Sequence, residues 1–429
     1  MHLCLFEDTH VHRLRPLVET RPAYDLRLAR RTMGETIRDA VAADGLVLHT
    51  RPPLADVVAL AHPNPPVNTL PDGADVLFVN GRLVADNEGL VARLREQIDT
   101  DDARRFLQDG VLVAAWVPDA AARLPSDVLD QAALPSGLVD APVTSIDGAT
   151  LVERPWDLLD TLPPALARDA ATYASVPPAG ALSSRHHATV HPSVVAVDPG
   201  RIHLGREATV RPGAILNASN GPIVVDDAAT IHERAVLNGP CYVGPKCEIK
   251  VGADIERSAF GYYCKVGGEV HDSIIHALSN KAHPGFLGHS YLGQWCNLGA
   301  DTNTSNLKND YGEISAYAPA DQHFVDTGRQ FAGLFMGDHS KCGINTMFNT
   351  GTVVGTCSNL FGGDFPPRYV PPFSWGGPSQ GLTTYRLGKA LSVAETVMGR
   401  RDTPLTDADT ALLSGLFERT AEERVRHHD

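Results

Sequence analysis

The sequence predicts an α/β layer domain over residues 1–165, a parallel β-solenoid over residues 192–365 and a helical extension over residues 366–429. Three observations support this division. Short apolar runs alternate with helix-like stretches in the first region, and a six-residue repeat dominates the second. Between them, residues 166–191 are rich in Pro, Ala and Ser, which is typical of a linker. The 429 residues are enough for roughly two to four domains.

The first region contains apolar runs of strand length. They are Leu3–Phe6, Leu46–Leu48, Val57–Leu60, Val76–Val79 and Val111–Val117. Helix-like stretches such as Asp101–Gln108 lie between them. This order is typical of an α/β layer domain.

The second region repeats a small residue every six positions, followed two positions later by an apolar one. The clearest run has small residues at Ala229, Ala235, Cys241, Cys247 and Ala253 and apolar partners at Ile231, Leu237, Val243, Ile249 and Ile255. The same phase fits residues 202–216, with three extra residues before position 229, and it returns over residues 334–360. Three hexapeptides make one coil of roughly 18 residues. A β-sandwich would not hold this phase over consecutive units, so a solenoid is predicted.

After residue 361 the repeat ends and helical patterns follow. We expect one helix over Tyr385–Arg400 and a second over Asp407–Val425. Apolar residues of the first recur close to a 3.6-residue period, so this helix should pack on another surface.

Composition excludes several function classes. Lys and Arg total 37 against 51 Asp and Glu, a net charge of −14, which disfavours binding to nucleic acid or to an anionic membrane. An anionic substrate therefore needs a local basic pocket. The seven cysteines show no zinc-ligand spacing and are expected to be reduced. The first residues lack a signal-peptide pattern, so a cytoplasmic location is expected.

Polar side chains are concentrated between residues 260 and 330, where the six-residue phase is interrupted. They include Lys281, His283, Asn297, Asn303 and Asn306. A solenoid core accepts few polar side chains, so we expect these residues to gather on an outer face and line a cleft.

The spacing of this segment is specific. His283 is followed by Phe286-Leu287-Gly288 and then by Asn297-Leu298-Gly299-Ala300. In this motif the chain resembles the hexapeptide-repeat acyltransferases, most closely the bifunctional glucosamine-1-phosphate acetyltransferase/N-acetylglucosamine-1-phosphate uridyltransferase enzymes. It is most similar to a divergent bacterial branch of that family, described as sugar nucleotidyltransferases. The branch signature runs from Gly267-Gly268-Glu269-Val270 to Leu307-Lys308-Asn309, with further matches at Leu5-Phe6-Glu7-Asp8 and Pro372-Phe373-Ser374-Trp375-Gly376.

The resemblance implies a left-handed parallel β-helix that forms a homotrimer, with acetyl-CoA lying at the joint between subunits. The left hand is implied by the resemblance alone, because parallel crossovers are otherwise right-handed. The implied reaction is acetyl transfer to an amino-sugar phosphate. The alternative is a non-catalytic solenoid that binds sugar nucleotides as a scaffold.

His283 is the expected general base, because an imidazole can take the proton of the attacking amine. His276 and His289 are the alternatives. The strand Asn297–Ala300 is expected to stabilise the oxyanion, with Asn297 as a catalytic residue.

The resemblance further implies binding roles on the same coils. Gly299 and Ala300 would contact acetyl-CoA, while Phe286, Asn303 and Asn306 would contact the sugar, although the two asparagines could instead cap turns. Lys265, placed one 18-residue coil before His283, or Lys281 would hold the phosphate.

The N-terminal region departs from the familiar nucleotidyltransferase pattern. No glycine-rich phosphate loop follows Phe6, and Glu7 and Asp8 stand in its place. Asn80 occupies the place of a metal-binding Asp, so a metal site stays undefined. Arg21 and Arg27 remain as weak candidates for nucleotide phosphates. We therefore expect weak or no pyrophosphorylase activity, unless Glu7 or Asp8 holds Mg²⁺ beside those arginines.

Overall fold

The computed structural model describes residues 1–85, 88–96, 98, 101–172 and 187–428. The N-terminal domain is a six-stranded mixed sheet with strand order β2-β1-β3-β5-β4-β6. Its strands are β1 (His2–Phe6), β2 (Gly45–Leu48), β3 (Val76–Asn80), β4 (Arg104–Gln108), β5 (Val111–Val117) and β6 (Val143–Ser145). Its helices are α1 (Met33–Val41), α2 (Ala55–Ala61), α3 (Glu88–Glu96), α4 (Ala120–Arg123) and α5 (Asp157–Ala171). Strand β1 is parallel to both β2 and β3, so their carboxyl ends share one edge.

Two local expectations in this domain were wrong. The run Val57–Leu60 lies in helix α2, where Val58 is buried and Leu60 is 60% exposed, as on the surface of an amphipathic helix. The helix-like stretch Asp101–Gln108 instead contains strand β4, which pairs antiparallel with β5. Asp109 and Gly110 join these strands with φ of 50° and 79°, the left-handed conformation that a tight hairpin turn requires.

The second region is a β-solenoid whose coils contribute strands to three sheets, named here faces A, B and C. Face A consists of β7 (Thr189–Val190), β10 (Thr209–Val210), β13 (Thr230–Ile231), β16 (Glu248–Ile249), β19 (Lys265–Val266), β22 (Asn280–Lys281), β25 (Asn297–Leu298), β30 (Lys341–Cys342), β33 (Asn359–Leu360), β35 (Ser374–Gly377) and the antiparallel β36 (Gly381–Thr384). Face B consists of β8 (Val195–Val197), β11 (Ile215–Asn217), β14 (Val236–Asn238), β17 (Asp254–Glu256), β20 (Glu269–His271) and β23 (Phe286–Gly288). Face C consists of β9 (Ile202–Leu204), β12 (Ile223–Val225), β15 (Cys241–Val243), β18 (Ala259–Phe260), β21 (Ile274–Ala277), β24 (Tyr291–Gln294), β29 (Leu334–Met336), β32 (Thr352–Val354) and β34 (Tyr369–Val370).

Two smaller pairs complete the solenoid. Strands β26 (Asn303–Thr304) and β31 (Met347–Phe348) are parallel, and β26 lies against β23 of face B. Strands β27 (Ile314–Ala318) and β28 (His323–Arg329) form an antiparallel hairpin.

The six-residue pattern correctly identified the core. All ten residues of the clearest run, from Ala229 to Ile255, are buried in one continuous apolar cluster. The three extra residues before position 229 are also present in the structure. Thr209 pairs with Thr230, 21 residues later, whereas Thr230 pairs with Glu248, 18 residues later. All seven cysteines are buried and unbridged.

The six-residue phase is broken between residues 260 and 330, as predicted, but the solenoid itself is not interrupted there. Parallel coils continue through this segment but are shorter, since Lys265 pairs with Asn280 and Asn280 with Asn297. The longer excursion is the one between Asn297 and its partner Lys341, which contains the hairpin β27–β28.

Three helices follow the solenoid: α6 (Leu387–Gly399), α7 (Asp407–Arg419) and α8 (Ala421–His427). The single helix expected over Asp407–Val425 is divided at Thr420, whose buried hydroxyl donates a 2.8 Å hydrogen bond to the Leu416 carbonyl oxygen. At the expected linker, α5 extends past residue 165 to Ala171 and β7 begins at Thr189, while residues 173–186 lie outside the described residues. None of the helices in the described ranges is long and apolar enough to cross a membrane.

The N-terminal domain packs along face C. The outward side chains of this face form an apolar stripe that belongs to the same cluster as residues 11–33 and helix α5. The stripe consists of Val224, Tyr242, Ala259, Ile274, Tyr291, Phe335, Val353 and Tyr369. Face C is therefore the docking surface for the domain, whereas strands β22, β23 and β25 of the segment that resembles the acyltransferases belong to faces A and B.

Candidate active site

His283 lies on the turn that joins β22 of face A to β23 of face B. Its side chain is exposed. The equivalent turn of the next coil begins at Gly299 and Ala300, and the two turns stack closely, since a Cβ added to Gly285 would lie 2.1 Å from the Thr302 carbonyl oxygen. The structure therefore brings His283, Gly299 and Ala300 together at one corner of the solenoid.

Gly299 also has a structural reason to be glycine. A Cβ at this position would meet the Gly343 carbonyl oxygen of the following coil at 2.3 Å. Its N–H donates to the Cys342 carbonyl oxygen at 3.1 Å, so it is not free to stabilise an oxyanion. The side chain of Asn297, by contrast, lies on the exposed surface of face A.

Asn297 belongs to a polar row on face A. Successive coils place Lys265, Asn280, Asn297 and Lys341 side by side. The Asn280 amide donates to the Asn297 side-chain oxygen at 3.4 Å. The expectation that Lys265 lies one coil from His283 was wrong, because the short coil pairs Lys265 with Asn280 instead.

Lys265 forms a surface ion pair, with Nζ 2.9 Å from Glu248 Oε1. Partial burial of Glu248 acts to raise its pKa, but Lys250 and Lys265 outweigh burial and lower the pKa to about 2. Lys265 therefore has a cationic neighbour and one carboxylate partner on the outer surface of the solenoid.

Phe286 and Asn303 lie next to His283 on the side of face B. The Phe286 N–H donates to Asn303 Oδ1 at 2.9 Å, and Asn303 Nδ2 donates to the Asp301 carbonyl oxygen at 3.0 Å. Asn303 thus has the turn-capping contacts considered as its alternative role. Asn306 is remote from this corner, since it lies beyond the other end of β23, where its Nδ2 donates to His289 Nδ1 at 2.9 Å.

Lys281 was expected on the outer face, and this was wrong. Its side chain is 1% exposed and lies in the core column between Val266 and Leu298. Nζ donates to the carbonyl oxygens of Gly267 at 2.9 Å and His283 at 2.7 Å. Burial lowers the pKa of Lys281 to about 8. The sequence contained a signal that Lys281 points inward. Ser279 and Lys281 are two positions apart, like the inward pair Cys264 and Val266 of the preceding coil.

The two alternative histidines have less access to solvent than His283. His276 is buried at the docking surface, with Nε2 2.9 Å from the Asp25 carbonyl oxygen, and burial together with Arg21 and Arg27 lowers its pKa well below the usual value. His289 stacks on Phe331 at 4.9 Å, and burial lowers its pKa as well. Of the three, His283 is the exposed side chain.

In the N-terminal domain, arginines engage Glu7 and Asp8, the two carboxylates that the alternative view considered as Mg²⁺ ligands. Arg82 binds Asp8 through Nε at 2.9 Å and Nη2 at 2.6 Å, and Asn80 Nδ2 donates to the same carboxylate at 2.9 Å. Glu7 accepts from Arg51 Nε at 3.0 Å and from the Ala23 N–H at 3.0 Å. Asp8 and Glu7 are thereby neutralised, and this arrangement does not fit a divalent cation.

Arg21 and Arg27, the weak candidates for nucleotide phosphates, join the domain to the solenoid. Arg21 forms a buried ion pair with Asp338, and Arg27 Nε donates to the His276 carbonyl oxygen at 2.9 Å. In the described part of the chain, no group of His, Cys, Asp and Glu side chains is arranged to hold a metal ion. Sequence reasoning missed Arg51, and it considered Arg82 only as a further arginine for the nucleotide phosphates, whereas Arg82 binds Asp8. Arg51 follows β2 and Arg82 follows β3, and both strands end at the same sheet edge as β1, which Glu7 and Asp8 follow. This shared edge could have predicted that the arginines lie near the two carboxylates.

Residues 3–175 match the family model described as sugar nucleotidyl transferase. The bifunctional protein GlmU of Rippkaea orientalis is 34% identical over 110 residues, covering 25% of this chain and 23% of the relative. GlmU of Acidithiobacillus ferrooxidans is 28% identical over 195 residues, covering 45% of this chain and 37% of the relative. In the parts of the chain that these matches cover, it is similar to sugar nucleotidyl transferases and to GlmU.

The GlmU-like chain thus aligns with less than two fifths of the length of these relatives. Among solved structures, the polySia-specific acetyltransferase NeuO is 11% identical with a TM-score of 0.26, covering 49% of this chain and 97% of NeuO. At that TM-score the likeness supports no argument about activity.

Proposed function

We propose that the solenoid of this GlmU-like chain transfers an acetyl group from acetyl-CoA to the amine of an amino-sugar phosphate such as glucosamine 1-phosphate. The observation that carries the proposal is the exposed imidazole of His283, on a turn whose carbonyl oxygen is held from inside by Lys281 at 2.7 Å. The motif around His283 supports the reaction class.

His283 would act as the general base that takes the amine proton during attack on the thioester. The Asn297 amide would donate to the developing oxyanion, because the Gly299 N–H is engaged within the coil. Phe286 and Asn303 would form the adjacent wall of the sugar site. Of the two lysines considered for the phosphate, Lys265 is the one on the surface, with its side chain 34% exposed.

The left-handed winding and the homotrimer implied by the resemblance stay predictions. Acetyl-CoA at a joint between subunits would require the second subunit for activity. Light scattering of the active protein tests this, and an active monomer would contradict it.

The central experiment measures thiol release from acetyl-CoA with glucosamine 1-phosphate, glucosamine 6-phosphate and glucosamine. We expect acceptor-dependent release that saturates with one of these amines. The reaction without an acceptor is the control for thioester hydrolysis. If all acceptors are silent while the protein still binds a sugar nucleotide, the solenoid is a scaffold and the acetyl-transfer proposal fails.

A further inference from the structure

A cavity lies where the N-terminal domain, the solenoid and the C-terminal helices meet. Its volume is about 300 Å³, at the lower end of the range for small-molecule sites. Helix α2 and residues 20–25 line it from the N-terminal domain, the corner between faces C and A lines it from the solenoid, and helices α6 and α7 line the third side. The carboxylates Glu7 and Asp8 and the arginines that bind them do not line this cavity.

Three residues that line the cavity each have a side-chain nitrogen that is buried without a hydrogen-bond partner in the described ranges. The atoms are Arg21 Nε, His276 Nδ1 and His339 Nδ1. The residues Arg21 and His276 are only 7% and 5% exposed. Arg21 acts to lower the pKa of both histidines, so its charge lies near both rings. Since buried polar atoms in proteins are nearly always hydrogen-bonded, three such atoms around one cavity point to a molecule that occupies it.

The hydrogen-bonding role of two of these atoms can be assigned. His276 Nε2 lies 2.9 Å from the Asp25 carbonyl oxygen, which can only accept, so Nε2 carries the ring proton. Burial together with Arg21 lowers the pKa of His276 well below its usual value, so the ring is neutral at pH 7. His276 Nδ1 is therefore an acceptor, whereas Arg21 Nε–H is a donor. Burial likewise lowers the pKa of His339, to about 3, so this ring is also neutral.

The charged side chains around the cavity already have protein partners. Arg21 forms its ion pair with Asp338, and His62 Nε2 lies 3.1 Å from the Asp25 carboxylate. The carboxylate of Asp409 belongs to the capping box of α7. An ionic ligand would have to compete with these contacts, so the cavity favours an uncharged ligand.

The rest of the wall is apolar. It includes Val58 of α2, Met398 of α6 and Leu412 of α7, all of them buried. Trp295 also lines the cavity and stacks on His339, with 6.1 Å between the ring centroids. Apolar side chains beside an unpaired donor and an unpaired acceptor match the carbon skeleton and the hydroxyl groups of a polyol, because each hydroxyl group can both donate and accept.

We propose that this cavity binds a small uncharged polyol. One hydroxyl group would donate to His276 Nδ1 and accept from Arg21 Nε–H, and His339 Nδ1 would contact a further hydroxyl group. Because the walls come from all three parts of the chain, the bound polyol would stabilise the docked arrangement of the N-terminal domain, the solenoid and the C-terminal helices. The site is separate from the His283 corner, so it does not depend on the proposed acetyl transfer.

The test is thermal unfolding of the full chain in the presence of increasing millimolar concentrations of myo-inositol, glucose or glycerol. A polyol that binds the folded state raises the unfolding midpoint saturably. General exclusion of polyols from the protein surface, by contrast, stabilises all variants alike and does not saturate.

Two variants probe the cavity. His339→Phe keeps an aromatic ring beside Trp295 and removes Nδ1, which has no partner among the described residues, so the fold should survive. Ala61→Leu adds bulk to the cavity from an exposed position on α2. Ala59→Leu is the matched control, because Ala59 is an exposed residue of the same helix that does not line the cavity.

We expect at least one polyol to raise the midpoint saturably in the wild type, in Ala59→Leu and in His283→Ala. His339→Phe should weaken the apparent affinity by about fivefold or more, and Ala61→Leu by about tenfold or more. Ala61 also borders a neighbouring cavity beside residues 63–66, so His339→Phe assigns the binding to this one. The proposal is overturned if no polyol gives a saturable shift, which would leave water as the occupant, or if either cavity variant responds like the wild type.

Discussion

The Nζ atom of Lys281 donates a 2.7 Å hydrogen bond to the carbonyl oxygen of His283 from inside the solenoid core. The same ammonium group donates to the Gly267 carbonyl oxygen at 2.9 Å. Lys281 thus links the turn that carries the proposed base to the turn of the preceding coil. We regard Lys281 as a positioning residue, because its own side chain is 1% exposed and cannot meet a substrate.

Lys281 should make stability depend on pH. Burial lowers its pKa from 10.5 to about 8. Between these pH values the unfolded chain carries the proton and the folded protein does not, so stability rises with pH relative to Lys281→Met. The shift corresponds to a gain on the order of 3 kcal/mol for the wild type between about pH 8 and pH 10.5.

Urea unfolding of both proteins at pH 7 and pH 10 measures this gain. Lys389→Met, on the exposed side of α6, controls for the methionine substitution itself. A difference between wild type and Lys281→Met that stays constant with pH would contradict the assignment.

Lys281→Met should also slow acetyl transfer, by about tenfold, because the His283 turn loses its internal hydrogen bond. The reduction should fall on kcat, whereas the KM for acetyl-CoA should change little. Steady-state thiol release at pH 7 separates the two constants. An unchanged kcat would show that the turn holds its position without Lys281.

Replacing His283 by Ala should remove the general base and lower acetyl transfer by about 10²–10⁴-fold. The side chain is exposed, so the solenoid should remain folded, which circular dichroism can verify. His191→Ala removes another exposed solenoid histidine and should leave the rate unchanged. Activity within a few-fold of wild type would exclude His283 and direct attention to His289.

Arg82→Gln should destabilise the N-terminal domain by about 3–5 kcal/mol, because it leaves the buried Asp8 carboxylate without its cation. Arg13→Gln is the control, since Arg13 also binds a carboxylate but is 40% exposed, and its loss should cost less than about 1 kcal/mol. Urea unfolding measures both. Equal effects of the two substitutions would show that the Asp8–Arg82 pair contributes no more than a surface pair.

Pyrophosphate release from UTP, dTTP, GTP or CTP, with N-acetylglucosamine 1-phosphate or glucose 1-phosphate and Mg²⁺, should stay below roughly 1 s⁻¹. The physical reason is that Asp8 and Glu7 are neutralised by Arg82 and Arg51 rather than open to a cation. Faster turnover would contradict this prediction. Its loss in Arg21→Ala would then indicate a site that includes the arginine now paired with Asp338.

The sequence by itself determined the solenoid and its inward positions. Each coil repeats the local geometry of the previous one, so the alternation of Ala229 with Ile231, and of later pairs, reports burial directly. The six-residue repeat also predicts that Lys281 points inward. We placed Lys281 on the outer face instead, because lysines usually lie on the surface. The other strands expected in the first domain were also readable, but the strand-like run Val57–Leu60 lies in helix α2, and the hairpin turn at Asp109-Gly110 places β4 in a helix-like stretch.

Only the tertiary structure decided which charged groups meet. Glu7 binds Arg51 and Asp8 binds Arg82 because parallel strands bring distant residues to one sheet edge. Arg21 reaches Asp338 only because the domain docks on face C. None of these three ion pairs follows a periodic pattern along the chain, because each depends on long-range packing. A local sequence pattern predicts neighbours within one element, but it does not predict which residue of a distant segment will lie against it.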